Sequence, residues 1–149
     1  MPQIYDRTDL AWSTRGDLVI GHNGDIMDTY EDPLRSLYQE VRTRVMSVLG
    51  DWILYPDLGA NIEDFVGEPN TKLTAEAIKT KIVASITRNG LIHNADLQVK
   101  YSPIDIDKIM FRISIAVAPT AINGGSNYLG LNFLYDYSEN HAYFVHFRS

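Results

Sequence analysis

The chain has 149 residues, a formal net charge of −6 and no cysteine, with 45% hydrophobic and 21% charged residues. A chain of this length forms one domain and buries about two-thirds of the surface its unfolded form exposes, so it folds without covalent staples. The hydrophobic fraction excludes a wholly disordered chain, and the lack of cysteine excludes a disulfide framework, a thiolate metal site and a cysteine nucleophile, while leaving the compartment open. A sequence pI near 5.0, with basic residues scattered among more numerous acids, argues against nucleic acid as a partner. The longest apolar-leaning runs, 109–119 and 129–134, carry Arg112, Ser114 and Asn132 and fall short of the roughly 20 residues that span a bilayer. The N-terminus, Met1 to Asp6, lacks the basic start and apolar core of a signal peptide, so the expectation is a cytosolic, soluble, single domain over 1–149.

In chain order, residues 1–16 are polar around Trp12 and read as an irregular arm. Asp17-Leu18-Val19-Ile20 and Asp25-Ile26-Met27 flank the turn Gly21-His22-Asn23-Gly24, a short strand or hairpin. Asp32 is an N-cap candidate, Pro33 suits the first helical position, and Gly50 offers a left-handed stop. Between them Leu34, Leu37, Tyr38, Val41, Val45, Val48 and Leu49 recur at helical spacing. The opposite face holds Arg35, Gln39, Glu40, Thr43 and Arg44, where a Glu40–Arg44 pair adds a few tenths of a kcal/mol at roughly the usual helical strength. Trp52 to Pro56 is an apolar connector, and Leu58 to Val66 suits a short helix with Leu58, Ile62, Phe65 and Val66 inward. A further helix runs from Leu73 or Thr74 to Asn89, with Ile78, Ile82 and Ile86 spaced by four and Gly90 as its stop.

After Gly90 the apolar period becomes two. Leu97, Val99 and Tyr101 mark one strand, Ile109, Phe111, Ile113, Ile115 and Val117 a second, and Leu131, Phe133, Tyr135 and Tyr137 a third. Ala142 to Arg148 forms the last, after a turn around Ser138-Glu139-Asn140. Helices first and antiparallel strands afterwards give an α+β fold: two main helices and a short one on a small, mainly antiparallel sheet.

Few residues suggest chemistry. His22, His93, His141 and His146 are dispersed, and the last two, five apart on a strand, face opposite ways, so no metal site is expected. No phosphate loop, nucleotide fingerprint or serine elbow is present. Glu63, Asp64 and Glu68 could be imagined as a glycosidase pair, but such chemistry needs a set separation and one raised pKa, neither of which sequence spacing reveals. Solvated acids are the favoured reading. Aromatic residues in the C-terminal strands lack interleaved basic residues, so a sheet core is favoured over a base-stacking platform.

The run Leu34-x-x-Leu37-Tyr38-Gln39-Glu40-Val41-x-Thr43-Arg44-Val45 is followed by Leu49-Gly50-Asp51-Trp52, Tyr55-Pro56-Asp57-Leu58-Gly59 and Gly67-Glu68-Pro69-Asn70. In that order and spacing it resembles the baseplate wedge and sheath-initiator family of contractile phage tails, a W-protein-like family also labelled tail lysozyme and found in pyocins and type VI secretion baseplates. The resemblance implies a small α+β structural protein without catalytic activity, cofactor or metal, seated in the tail baseplate and assembled in the host bacterial cytoplasm. It implies baseplate wedge proteins and the tail sheath protein as partners, with tail tube or hub proteins as further neighbours, and neither nucleic acid nor membrane. A Glu-Pro-Arg motif that meets the wedge in that family corresponds here to Glu68, Pro69 and Asn70. The arginine is absent, and with it the five-donor fork suited to carboxylates. Family members template the sheath by lending a sheet edge to sheath-subunit arms, a role that falls on Ala142, Tyr143, Phe144, Val145, His146, Phe147 and Arg148. The alternative implied by the lysozyme label is an acidic glycoside hydrolase, with one of Glu63, Asp64 or Glu68 as the general acid.

Overall fold

The computed structural model describes residues 8–13, 17–30, 32–65, 68–69, 71–117, 128–136, 138–139 and 141–145. The fold is α+β: two helices, α1 (Pro33–Met46) and α2 (Lys72–Thr87), and a four-stranded antiparallel sheet, β1 (Leu97–Asp105), β2 (Lys108–Ala116), β3 (Tyr128–Asp136) and β4 (His141–Val145). The strands lie in the order β1-β2-β3-β4, each beside its neighbour in sequence. β1 and β4 are therefore the two edges.

Alternation in β2 determines which way the sheet faces. Ile109, Phe111, Ile113 and Ile115 are all buried, and across the register they stand beside Tyr135, Phe133, Leu131 and Leu129 of β3. Onto this face pack Leu37, Val41 and Val45 of α1 and Ile78, Ile82 and Ile86 of α2. The rings of Tyr101, Phe111, Phe133 and Phe144 form a row across all four strands, with successive centroids 6.0, 6.1 and 5.2 Å apart, and Tyr38 meets Phe144 edge-on at 6.3 Å. Tilted rings at such separations add directional attraction to the burial of apolar area.

α1 begins as its sequence indicates: Asp32 accepts from the Arg35 N–H at 3.1 Å, with proline at the start of the helix. It ends at Met46, short of Gly50. Ser47 turns extended, its N–H and hydroxyl both donate to the Thr43 carbonyl, and Asp51 takes the Val48 N–H, so the chain leaves the helix before the glycine is reached. Val48 and Leu49 consequently leave the core face, and Leu49 is exposed.

Arg44 departs further from expectation. Assigned by periodicity to the solvated face, it is only 7% exposed. Its Nε donates to Glu40 at 3.0 Å, and its Nη1 donates to the carbonyls of Ser85 (3.2 Å) and Arg88 (2.6 Å), while the Ser85 hydroxyl returns a bond to the Arg44 carbonyl at 2.8 Å. Carbonyls at the C-terminal end of α2, where negative partial charge accumulates, thus gain a guanidinium donor from α1, and that of Arg88 also accepts from the Leu91 N–H at 3.4 Å.

The expected helix over 58–66 is a short 3-10 turn, Ile62–Phe65, with Ile62 buried and Phe65 partly so. It starts late because Gly59 and Asn61 take positive φ values of 144° and 54°, incompatible with helix. Val66 lies outside the described residues. α2 is capped by Thr71, whose hydroxyl accepts from the Thr74 N–H, and is followed by a 3-10 turn in which Asn89 and Gly90 adopt left-handed conformations that reverse the chain towards β1.

The N-terminal segment, expected to be irregular, is tied down where it is described. Ala11 donates to Met27 O, Met27 to Val19 O and Val19 to Ala11 O, closing a ring of three backbone bonds of 2.8–3.1 Å among three short segments. The predicted hairpin 17–27 supplies two of the segments, with Ile20 bridged to Ile26. Gln39 of α1 completes the attachment, accepting from the Trp12 N–H at 2.7 Å and donating to the Leu10 carbonyl at 3.0 Å, much as a neighbouring strand would.

Candidate functional site

β4 owes its place to one turn. Asp136, 2% exposed, accepts through Oδ1 from the Ser138 hydroxyl (2.8 Å), the Ser138 N–H (3.0 Å) and the Glu139 N–H (3.2 Å). Lys108 stands 3.7 Å from its other oxygen. The Ser138 hydroxyl, followed by the Glu139 N–H and the Lys108 ammonium, holds this carboxyl below the ordinary aspartate range in spite of its burial. An aspartate two residues before a serine is a turn signature, and here it fixes the β3–β4 connection.

From that turn β4 runs back along β3 with Ala142 opposite Tyr135 and Phe144 opposite Phe133. Ala142 and Phe144 pack on the core. No other strand pairs with the outer edge of β4 among the described residues. Of the expected sheath-binding strand, Ala142, Tyr143, Phe144 and Val145 fall in β4, while His146, Phe147 and Arg148 lie outside the described residues.

The opposite edge is built differently. β1 carries Pro103, which cannot donate a ladder bond, and a register shift between Pro103 and Asp105. Both are devices that discourage a further strand. Neither occurs in β4. What an open edge can do chemically is accept an extended segment through main-chain hydrogen bonds, with side-chain alternation setting register.

The second expected site follows the 3-10 turn Ile62–Phe65. Glu68 and Pro69 are exposed between the 3-10 turn and α2, with the Glu68 N–H donating to the Phe65 carbonyl at 3.0 Å and the Thr71 N–H to the Pro69 carbonyl at 2.8 Å. Asn70 lies outside the described residues. Phe65 itself is tied to the sheet, its carbonyl accepting from the Tyr135 hydroxyl. The Glu68-Pro69 step thus leads from a sheet-anchored residue into the cap of α2. Glu63 and Asp64 are exposed on the 3-10 turn.

The loop 47–61 joins α1 to the 3-10 turn, and its backbone is densely bonded. Gly50 donates to Pro56 O, Ala60 to Ser47 O and Leu49 to the Asn61 side chain at 2.6 Å, while the Trp52 indole donates to the Ser47 hydroxyl. Arg88 donates to the Asp57 carbonyl and pins the loop to the end of α2. Gly59 is irreplaceable: a Cβ there would lie 2.6 Å from the Ser47 carbonyl oxygen, at φ +144°. This is the physical content of the Pro56-x-x-Gly59 spacing. The same loop leaves Trp52, Ile53, Leu54 and Tyr55 exposed, Ile53 at 93% and Leu54 at 85%. The apolar connector seen in the sequence is therefore an outward-facing feature, which composition alone did not reveal.

Among the described residues no group of His, Asp or Glu is arranged to hold a metal ion, and no helix is long and apolar enough to cross a membrane. No protein-family model and no curated protein matches the chain. The fold and its edges define a class, a two-layer α+β domain with an antiparallel meander whose last strand, among the described residues, has an open edge.

Proposed function

We propose that this protein is a structural component of a contractile-tail baseplate, linking the wedge to the first sheath ring and templating sheath assembly by strand addition to β4. The observation that carries the reading is the position of β4: it ends the meander, lacks the proline and bulge that guard β1, and is stapled in place by the Asp136 turn. The resemblance over 34–70 supplies the wedge and sheath as partners, and the steric demand at Gly59 gives one of its sequence pieces a structural cause.

Adjacent prolines separate the functions of the two sides of β4, because consecutive N–H groups in a strand point opposite ways. Of Ala142→Pro and Tyr143→Pro, the one whose N–H faces outward is expected to stop sheath polymerisation on baseplates while melting as wild type, and the other to lower the melting temperature. Normal-length sheaths with both variants would sink the reading. Truncation after Asn140 removes the edge altogether and is expected to block sheath growth. On the wedge side, exposed Glu68 allows Glu68→Ala to weaken wedge pull-down with stability changed by less than about 0.5 kcal/mol. A parallel loss of both would instead assign Glu68 a folding role.

A further inference from the structure

We propose that the second of three eight-residue repeats near the N-terminus, at Leu18 and Ile20, is a docking slot for a helix of a partner protein that presents an arginine and, four residues on, a glutamine. This surface is separate from the β4 edge and does not rest on the reading given to it.

The repeat stands in the sequence and again in the hydrogen bonds. Asp9-Leu10, Asp17-Leu18 and Asp25-Ile26 recur every eight residues, followed by Ala11, Val19 and Met27 at the third position of each. These third positions bond to one another in a cycle: the Ala11 N–H to Met27 O at 2.9 Å, the Met27 N–H to Val19 O at 2.8 Å and the Val19 N–H to Ala11 O at 3.1 Å. A second cycle joins the fifth position of each repeat to the first of the next around the ring. Ser13 donates to Asp17 O, Gly21 to Asp25 O and Thr29 to Asp9 O, each at 2.8 Å. Three copies of one short segment thus close on each other in a pseudo-threefold ring. Successive residues of an extended segment point their N–H and C=O opposite ways, so the third position faces into the ring and the second and fourth face out of it.

The first repeat has an occupant for its outward groups, and that occupant defines the chemistry they take. Gln39 of α1 accepts from the Trp12 N–H at 2.7 Å and donates to the Leu10 carbonyl at 3.0 Å, and Arg35, four residues earlier on the same helix, donates to the Trp12 carbonyl at 3.1 Å. A carboxamide carries donor and acceptor side by side, and residues four apart share a helix face. The equivalent groups of the second repeat, the Ile20 N–H and the carbonyls of Leu18 and Ile20, have no partner among the described residues. Ile20 is 58% exposed and Leu18 41%, so this slot lies at the surface. The third repeat differs, with Asp28 in place of the large apolar residue and its carboxylate accepting from the Tyr30 N–H at 3.0 Å. Charge favours the same occupant: the described residues from 8 to 30 include Asp9, Asp17, Asp25 and Asp28 and neither lysine nor arginine, which attracts an arginine-bearing helix and disfavours a second copy of this element. An extended strand would meet only residues 18 and 20 before the turn at Gly21, too few for a ladder.

The probe is an alanine-rich helical peptide of about 15 residues carrying one arginine and, four residues later, one glutamine, with leucines beside them. Its control has leucine in place of the glutamine. Titrated into the isotope-labelled full chain and followed by amide NMR, the probe is expected to shift the Ile20 resonance more than that of Asp28, to saturate at about millimolar concentration or below, and to bind more weakly as salt is added. The control is expected to bind about fivefold more weakly or worse. Ile20→Pro removes the outward N–H while leaving both cycles intact, and is expected to abolish the shifts at Leu18 and Val19 with an unchanged melting temperature. Asp17→Asn, with a loss of about twofold, takes its place if the proline variant does not fold. The proposal is overturned by an unmoved Ile20 resonance at roughly 5 mM probe, by a control that binds equally well, or by a proline-interrupted, non-helical peptide of the same composition that shifts Ile20 as strongly.

Discussion

The layer between helices and sheet and the loop 47–61 are both ordered, but by opposite means. In the layer, order comes from burial: Phe111, Phe133, Ile78 and Ile82 have no exposed surface, and their positions follow from which side chains must leave water. In the loop, order comes from backbone hydrogen bonds and three positive-φ residues, Gly50, Gly59 and Asn61, while four consecutive large apolar side chains remain outside. The difference teaches that rigidity does not require apolar burial. A loop that uses its polar groups on itself can hold one backbone path while Trp52, Ile53, Leu54 and Tyr55 stay exposed.

Phe133→Ala is the severest test of the layer. It deletes the ring between Phe111 and Phe144 and is expected to cost about 4 kcal/mol in urea unfolding, the usual size for a buried phenylalanine. Gly59→Ala tests the loop by the same measurement. The clash with the Ser47 carbonyl and the positive φ predict a loss of about 3 kcal/mol, and a loss below about 1 kcal/mol would mean that the loop yields rather than holds. Arg44→Ala probes the seam where the two regions meet. Removing the guanidinium takes a charged donor from the carbonyls of Ser85 and Arg88 and from Glu40, and is expected to cost about 2 kcal/mol.

Acid gives a smaller and more local effect. Because the folded pKa of Asp136 is depressed by the Ser138 hydroxyl, its contribution to stability is complete above the unfolded aspartate value of about 3.9 and is lost as pH falls through the folded value. Asp136→Asn is expected to flatten the acid limb of a stability–pH curve, and hydrogen exchange should show the β3–β4 turn opening first in the wild type. The smallest effect belongs to the exposed loop side chains. Leu54→Ser is expected to change stability by less than about 0.5 kcal/mol, and a larger loss would place Leu54 with the core and erase the contrast between the regions.

Much of the layer was readable in the sequence. Asp32 and Pro33 mark the start of α1, and strict alternation from Ile109 to Ile115 marks β2, because capping and pleat are local geometry. The burial of Arg44 was not readable, for a physical reason: periodicity assigns a face, but only the approach of α2 places the carbonyls of Ser85 and Arg88 where a long guanidinium can reach them. The end of α1 was set too late because glycine is a sufficient stop, whereas Ser47 and Asp51 stop the helix earlier with their side chains.

By itself, then, the acidic and cysteine-free sequence determined the class of fold, the order of elements and most residues of the core, since each follows from local propensity and from the period of apolar residues. Tertiary structure decided the rest. Which strands became edges, why Gly59 admits no side chain, how Arg44 came to be buried, and that Trp52 to Tyr55 stay exposed are all matters of what lies across from a residue, and sequence neighbours do not carry that information.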